Sequence, residues 1–327
     1  MIYIDKQSND PWFNIAAEEV ALKSKSEDIL MLWINNPSVV VGKHQNTFAE
    51  VNQQFVWEHN IPVIRRLSGG GTVYHDQGNL NYSLITTVEN RERLIDFPKF
   101  TEPLIQFLKQ FGLDVTFYGK TNLGVVGKKF SGNAAHIFKN RVLHHGTLLL
   151  NTNLDILEQT IGSSDADIMD KSIKSVRASI INLKELVPGI KSVTSFQQQF
   201  KQFLFDYFSI ADSIVFSENE TQEINYLVQK KYNNTDWNYG YSPAYQFSKT
   251  MQFNGENVKI HMEVKKGIIV DLQINSDKIP NQIINLIQNQ LQYKQHNPQI
   301  MIEEIAKLTN HINVVGMDGS FLFKLII

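Results

Sequence analysis

Between Arg65 and Asp76 the chain reads RRLSGGGTVYHD, three consecutive glycines with two arginines on one side and alternating apolar and polar residues on the other. Both flanks have strand character: IPVIRR (61–66) precedes the glycines, and TVYH followed by LNYSLITT continues an extended pattern after them. The glycines therefore bridge two strands as a loop or hairpin. A strand-to-helix phosphate turn is excluded, because GxxxxGK[ST] is missing and no helix follows directly. Bare backbone lets N–H groups approach a bound oxygen, and Arg66 brings a guanidinium to the same place, which suits a phosphate or carboxylate. A flexible hairpin tip has the same composition, so the loop by itself leaves both readings open.

The surrounding pattern is α+β. ILMLWI (29–34) and SVVVG (38–42), split by Asn36-Pro37, read as strands, and NIAAEEVALKSK after Asp10-Pro11 reads as a helix with acids early and lysines late, as the helix dipole prefers. Apolar positions 100, 104, 107, 108 and 111 predict a helix capped by Gly112, and SFQQQFKQFLFDYF (195–208) predicts another. LDVTFYG and GVVGKKFSG give strands around a Gly127-Lys128 turn, and RVLHHGTLLLN (141–151) a further strand. After WNYGYSPAYQF (237–247), the Asn254-Gly255 and Lys266-Gly267 turns predict a three-strand meander, followed by helices in IPNQIINLIQNQLQ and IEEIAKLTN. The final SFLFKLII fits a strand or a helix end. The expected fold is α+β, with mixed or antiparallel sheets and flanking helices, divided into a large domain over residues 1–245 and a small α+β domain over 249–327.

Thirty-one basic residues against 33 acidic ones give a net charge of −2, so no global field draws this chain to nucleic acid or an anionic membrane, and neither is expected as a partner. The absence of cysteine excludes disulfides, thiolate metal sites and cysteine nucleophiles. MIYIDKQSNDPW lacks the apolar core of a signal peptide, and no run approaches the roughly 20 apolar residues that span a bilayer, so a cytoplasmic protein is expected.

Two further segments carry candidate chemistry. In VVGKKFSGNAAH (125–136), Lys129 is followed by Phe130 and the small residues Ser131, Gly132 and Ala134, leaving room for an elongated ligand beside an amine that can serve phosphate as a point charge. Two lysines on a turn are equally the mark of a solvated tip. In LHHGTLLL the adjacent histidines face opposite sides of a strand, so at least one points inward, and their spacing is poor for chelating one metal. No zinc site is expected.

Together these segments resemble the lipoate–protein ligase A family. RRLSGGGTVYHDQGN matches its RRxSGGGxVxHDxGN signature, GKKFSGNA its GxKxSGxA segment with the lysine at Lys129, and HHGTLLLN its third segment. DPWFNIAAEEVAL, LWINNPSVVVGKHQNTFAEVN, KSVRASIINLKELVPGI and WNYGYSPAY also look like family segments in the family's order. The resemblance implies the fold of biotin–protein ligases and class II synthetase cores, with residues 1–245 as the lipoate-binding, adenylating domain and 249–327 as an accessory domain. It implies that lipoate attacks the α-phosphate of ATP to give lipoyl-AMP and pyrophosphate, and that a carrier lysine then takes the lipoyl group and releases AMP. Mg²⁺ would bridge phosphate oxygens, with its ligands unassigned. Implied partners are the lipoyl domains of 2-oxoacid dehydrogenase complexes and the glycine cleavage H protein, with the small domain moving between the two steps; a monomer is the default expectation.

By the same resemblance Lys129 is the catalytic charge stabiliser, acting with Arg66 and the backbone from Gly71 through Thr72 and Val73 to Tyr74. Ser68, Gly70, His75, Asn81, Ser131, Gly132, Ala134, His145 and Gly146 complete the ligand-binding set. One departure stands out: GKTNL (119–123) replaces the family's GRNDL, so Lys120, Thr121 and Asn122 stand where Arg, Asn and Asp are usual. Losing that acid puts the efficiency of the ATP-dependent step in question. A related branch moves octanoyl or lipoyl groups between carriers through a cysteine thioester, which a chain without cysteine does not offer. A biotin ligase would carry GRGRxGRxW, which is absent. A noncatalytic lipoate, lipoyl-AMP or carrier-domain binder is the remaining alternative, resting on the GKTNL departure.

Overall fold

Strand Asn79–Thr87 has seven consecutive buried residues, so it needs neighbours along both edges and cover on both faces. It finds them at the centre of a six-stranded sheet ordered Asn133–Phe138, Arg141–Leu149, Asn79–Thr87, Ile29–Trp33, Ile2–Ile4 and Ser213–Ile214. The first four strands are antiparallel to one another, while Ile2–Ile4 runs parallel to both of its neighbours, which makes the sheet mixed. The structure, a computed structural model, describes residues 1–6, 8–88, 95–162, 165–309, 312 and 316–327.

The chain divides into two compact units, neither of them continuous in sequence. The first comprises residues 1–43, 64–157 and 175–233, and the second 44–63, 158–174 and 234–327. In the first unit one sheet face is covered by the helices Phe97–Lys109 and Val193–Phe208. Phe107 sits between Phe196 and Phe200, with ring centroids 5.3 and 4.9 Å away, as the helical spacing of the phenylalanines requires. The helix Pro11–Ser24 lies on the other face and is capped by Asp10, which accepts from the Trp12 and Phe13 amides at 2.8 and 3.1 Å. Its acids do not serve the dipole. The first turn contains none, and Glu18 and Glu19 are buried in the middle of the helix, drawn there by side-chain partners.

Two small sheets frame the glycine loop. Ser38–Val41 pairs antiparallel with Val73–His75, and the hairpin of Asn122–Val125 and Lys128–Ser131 turns at Val126-Gly127, one residue earlier than its composition suggests. Both turn residues have positive φ, 46° and 74°, as a two-residue hairpin demands, and Lys128 already belongs to the strand.

The second unit is a four-stranded antiparallel sheet ordered Asp167–Asp170, Tyr245–Phe253, Glu256–Lys265 and Ile268–Asn275, the last three forming the expected meander. Helices Asn281–Leu291, Pro298–Thr309 and Gly319–Ile326 contribute their apolar faces to its core, so the final segment resolves as helix. Phe48 joins that core, its ring stacked on His296 at 3.9 Å. Among the described residues no helix is long and apolar enough to cross a membrane.

Candidate active site

Arg66 determines the shape of the glycine loop. Its Nε donates to Ser68 Oγ at 2.9 Å, Nη1 to the Val40 carbonyl at 3.0 Å, and Nη2 to the carbonyls of Gly69 and Gly71 at 2.6 and 2.8 Å. Across a trans peptide the N–H opposes the C=O, so holding these two carbonyls turns the Gly70 and Thr72 amides away from the guanidinium. The Thr72 amide donates to Ser175 Oγ at 2.9 Å, and that hydroxyl marks where an oxygen acceptor fits against the loop. Gly70 has a φ of +84°, and a Cβ there would stand 3.2 Å from Arg66 Nη2, so both its backbone and its bareness are used. Arg66 is thus a brace for the loop as much as a charge beside it. Burial lowers its pKa to about 10, opposed by Glu18.

Beside the loop a hollow opens over the central sheet. Ile15, Trp33, Val40 and Val73 give it an apolar wall, and Arg66, His75, Asn81, Gly132, Ala134, His145, Gly146 and Thr147 complete the lining. Eight of the fifteen residues expected at the site thus reach one cavity. Gly146 has no room for a side chain, because a Cβ would lie 2.2 Å from Asn133 Oδ1 and 2.6 Å from the Tyr82 ring. Lys129 stands just outside the lining, its ammonium 3.2 Å from where a Cβ of Gly132 would be. Among the described residues no carboxylate forms an ion pair with it, and burial followed by the field of Arg66 holds its pKa below the usual lysine value. Asn122 Oδ1 lies near the same point, 3.6 Å from that Cβ position.

The other expected residues stand behind the wall. Ser68 is buried and bonded to His145 Nε2 at 2.6 Å, Ser131 accepts from Asn133 Nδ2 at 3.2 Å, and Gly71 packs its bare Cα toward Ser175. Tyr74, between Val73 and His75, points its ring away from the hollow, as strand alternation dictates, and burial raises its pKa to about 12.

Several residues at the site escaped sequence reasoning. Glu18 bonds His145 Nδ1 through both oxygens at 3.0 Å and accepts from Ser83 Oγ at 2.6 Å; burial opposes its ionisation, but His145, Lys6 and Ser83 bring its pKa down to about 2. Lys6 donates to the Asn14 carbonyl at 2.8 Å and lies 4.2 Å over the Trp33 ring, with burial lowering its pKa to about 7 against the pull of Glu18. The available signal was AAEE inside an otherwise apolar helix, where buried acids require partners. Among the described residues no group of three or more His, Asp or Glu side chains forms a metal cage.

Residues 10–208 match the family described as Lipoyl protein ligase A/B catalytic domain, and residues 242–318 match Bacterial lipoate protein ligase C-terminus. The chain is 35% identical over 308 residues to lipoate-protein ligase LplJ of Bacillus subtilis, covering 93% of each chain. It is 38% identical over 270 residues to lipoate–protein ligase 1 of Staphylococcus aureus, covering 82% of each. The fold is similar to that of a bi-partite lipoate protein ligase of Thermoplasma acidophilum, with a TM-score of 0.62 at 23% identity over 73% of this chain and 96% of that one.

Proposed function

The chain belongs to the lipoate–protein ligase family, and we propose that the hollow beside its glycine loop is where this ligase brings lipoate and ATP together. The observation that carries this reading is the arrangement of charge: an apolar-walled cavity ends beside the Lys129 ammonium, which no carboxylate among the described residues pairs, and a loop whose amides Arg66 has turned outward. A carboxylate and a triphosphate repel each other, and fixed donors in a partly dry site offset that repulsion without reorganising.

The acyl chain lies along the apolar wall with its carboxylate toward Lys129. The carboxylate oxygen attacks the α-phosphorus of ATP, an acyl–phosphate bond forms, and pyrophosphate leaves. The carrier's lysine amine then attacks the acyl carbon, an amide forms, and AMP departs with the bonding electrons while the amine gives up a proton. Lys129 and the loop amides hold the charge that develops on oxygen in both steps. Mg²⁺ would accompany the nucleotide phosphates and offset their charge, its protein ligands being unassigned. Ser175 Oγ, seated on the Thr72 amide, yields that donor to a phosphate oxygen.

The carriers proposed are the lipoyl domains of 2-oxoacid dehydrogenase complexes and the glycine cleavage H protein, modified in the cytoplasm by a monomer. Residues 1–245 are assigned the adenylating role and 249–327 the accessory one. Incubation with lipoate, ATP, Mg²⁺ and an apo lipoyl domain should add one lipoyl mass to the carrier lysine, read by mass spectrometry, and omission of ATP should prevent it. An unmodified carrier, or modification independent of ATP, would refute the reading.

A further inference from the structure

The hollow has a polarity along its length that the sheet register defines. Thr147 N donates to the Gly132 carbonyl at 3.0 Å, Thr147 pairs with Asn81, and Asn81 pairs with Trp33, so four lining residues form one row across the strands. At about 4.8 Å per strand the row spans roughly 14 Å. Gly132, beside the Lys129 ammonium, is one end of it and Trp33 the other. His75 meets Trp33 edge-on, ring centroids 5.8 Å apart, and so belongs to the end remote from Lys129.

The proton on His75 is fixed by a chain of buried amides. Asn14 Nδ2 donates to the carbonyls of Ser8 and Ile34, at 2.9 and 3.3 Å, which sets its orientation. It also donates to Asn35 Oδ1 at 2.9 Å, which leaves Asn35 Nδ2 to face His75 Nδ1 at 3.0 Å. His75 Nδ1 is therefore the acceptor, and the ring carries its hydrogen on Nε2. That Nε2 is buried and has no hydrogen-bond partner among the described residues. Burial and the nearby Arg66 bring the ring's pKa down to about 3, so the donor is not converted to an imidazolium at neutral pH. A buried donor at the edge of a ligand cavity has only water or the ligand left to receive it.

We infer that His75 is a specificity-determining residue, its Nε2–H received by the sulfur-bearing ring at the far end of the acyl chain, so that the site selects lipoate over a saturated acid of equal length. This rests on the proposed lipoate reading. Divalent sulfur is a weak acceptor, and an otherwise wasted donor gives it modest value.

Titration calorimetry without ATP, using lipoate and octanoate separately, tests it. Wild type should bind lipoate about three- to fivefold more tightly than octanoate, and His75→Phe should bring the two dissociation constants within about twofold. Imidazole nitrogen NMR of the wild type needs no variant: the His75 Nε2 resonance should move with lipoate and stay with octanoate. Equal shifts with both acids, or a folded His75→Phe that keeps the full preference, would overturn the inference while carrier lipoylation still supports the ligase reading. Failure of wild type to bind either acid would overturn both.

Discussion

His144 and His145 are neighbours in the strand Arg141–Leu149, and alternation gives them opposite fates. His145 faces the helix Pro11–Ser24 and bonds Glu18 and Ser68, whereas His144 faces Phe97 and Phe100, stacks on the latter at 4.8 Å, and finds no partner for either ring nitrogen among the described residues. Burial lowers the His144 pKa to about 3. An imidazole so placed costs desolvation and returns only packing. His144→Leu should therefore raise stability by about 1–3 kcal/mol, measured by urea denaturation at pH 7. A folded-state pKa below the unfolded one means that stability is present above about 6.5 and is lost as pH falls toward 3. The substitution should flatten that acid limb, and a variant with an unchanged limb would show that His144 is not its source. The chain's pattern established that at least one histidine points inward, but which one meets a carboxylate depends on a helix over a hundred residues away. No local signal contains that.

At the scale of elements, the hairpin of Asn122–Val125 and Lys128–Ser131 decides which lysine matters. Its strands are legible from composition; its register is not, because Gly127 fits either position of a two-residue turn. With the turn at Val126-Gly127, Gly124 pairs with Lys129, whose own backbone is clamped by bonds to Ser179 and Ile181 at 2.8 and 3.0 Å. A slip of one residue would exchange Lys129 for the exposed Lys128. On the proposed chemistry, Lys129→Ala should reduce lipoate-dependent pyrophosphate exchange by about 10²–10³-fold with the circular dichroism spectrum retained. Because burial lowers the Lys129 pKa, exchange by wild type should decline as pH rises through a value below the ordinary lysine range. Asn122→Asp places a negative charge near the same point and should move that alkaline limb upward. A limb that stays put in the Asn122→Asp enzyme would mean another group governs it.

For the whole molecule, the sequence pattern locates the meander and its helices correctly but not the extent of the unit they build. The change of texture near residue 247 is a change of local pattern. The second unit also takes residues 44–63 and 158–174, which carry no local mark of where they pack. Phe48 is the clearest case: in sequence it belongs to a short polar helix, Thr47–Glu50, yet its side chain is buried against Tyr245, Phe247 and His296. His296 is held in turn, accepting from Tyr245 Oη at 2.6 Å and donating to the Ile326 carbonyl at 2.8 Å, so the last helix, one ring pair and the early segment form a single cluster. Phe48→Ala should destabilise the second unit by about 3–5 kcal/mol, read as increased amide exchange in the strands Tyr245–Phe253 and Glu256–Lys265. Cutting the chain after residue 245 should do more. It removes Phe247 and His296 from the rings that meet Phe48, keeping Tyr239 and Tyr245, and leaves the strand Asp167–Asp170 without the neighbour that completes its ladder. The fragment 1–245 should therefore expose apolar surface and bind a hydrophobic dye, whereas a fragment that stays dye-silent and unfolds at the full chain's urea midpoint would show that residues 44–63 do not depend on the C-terminal core.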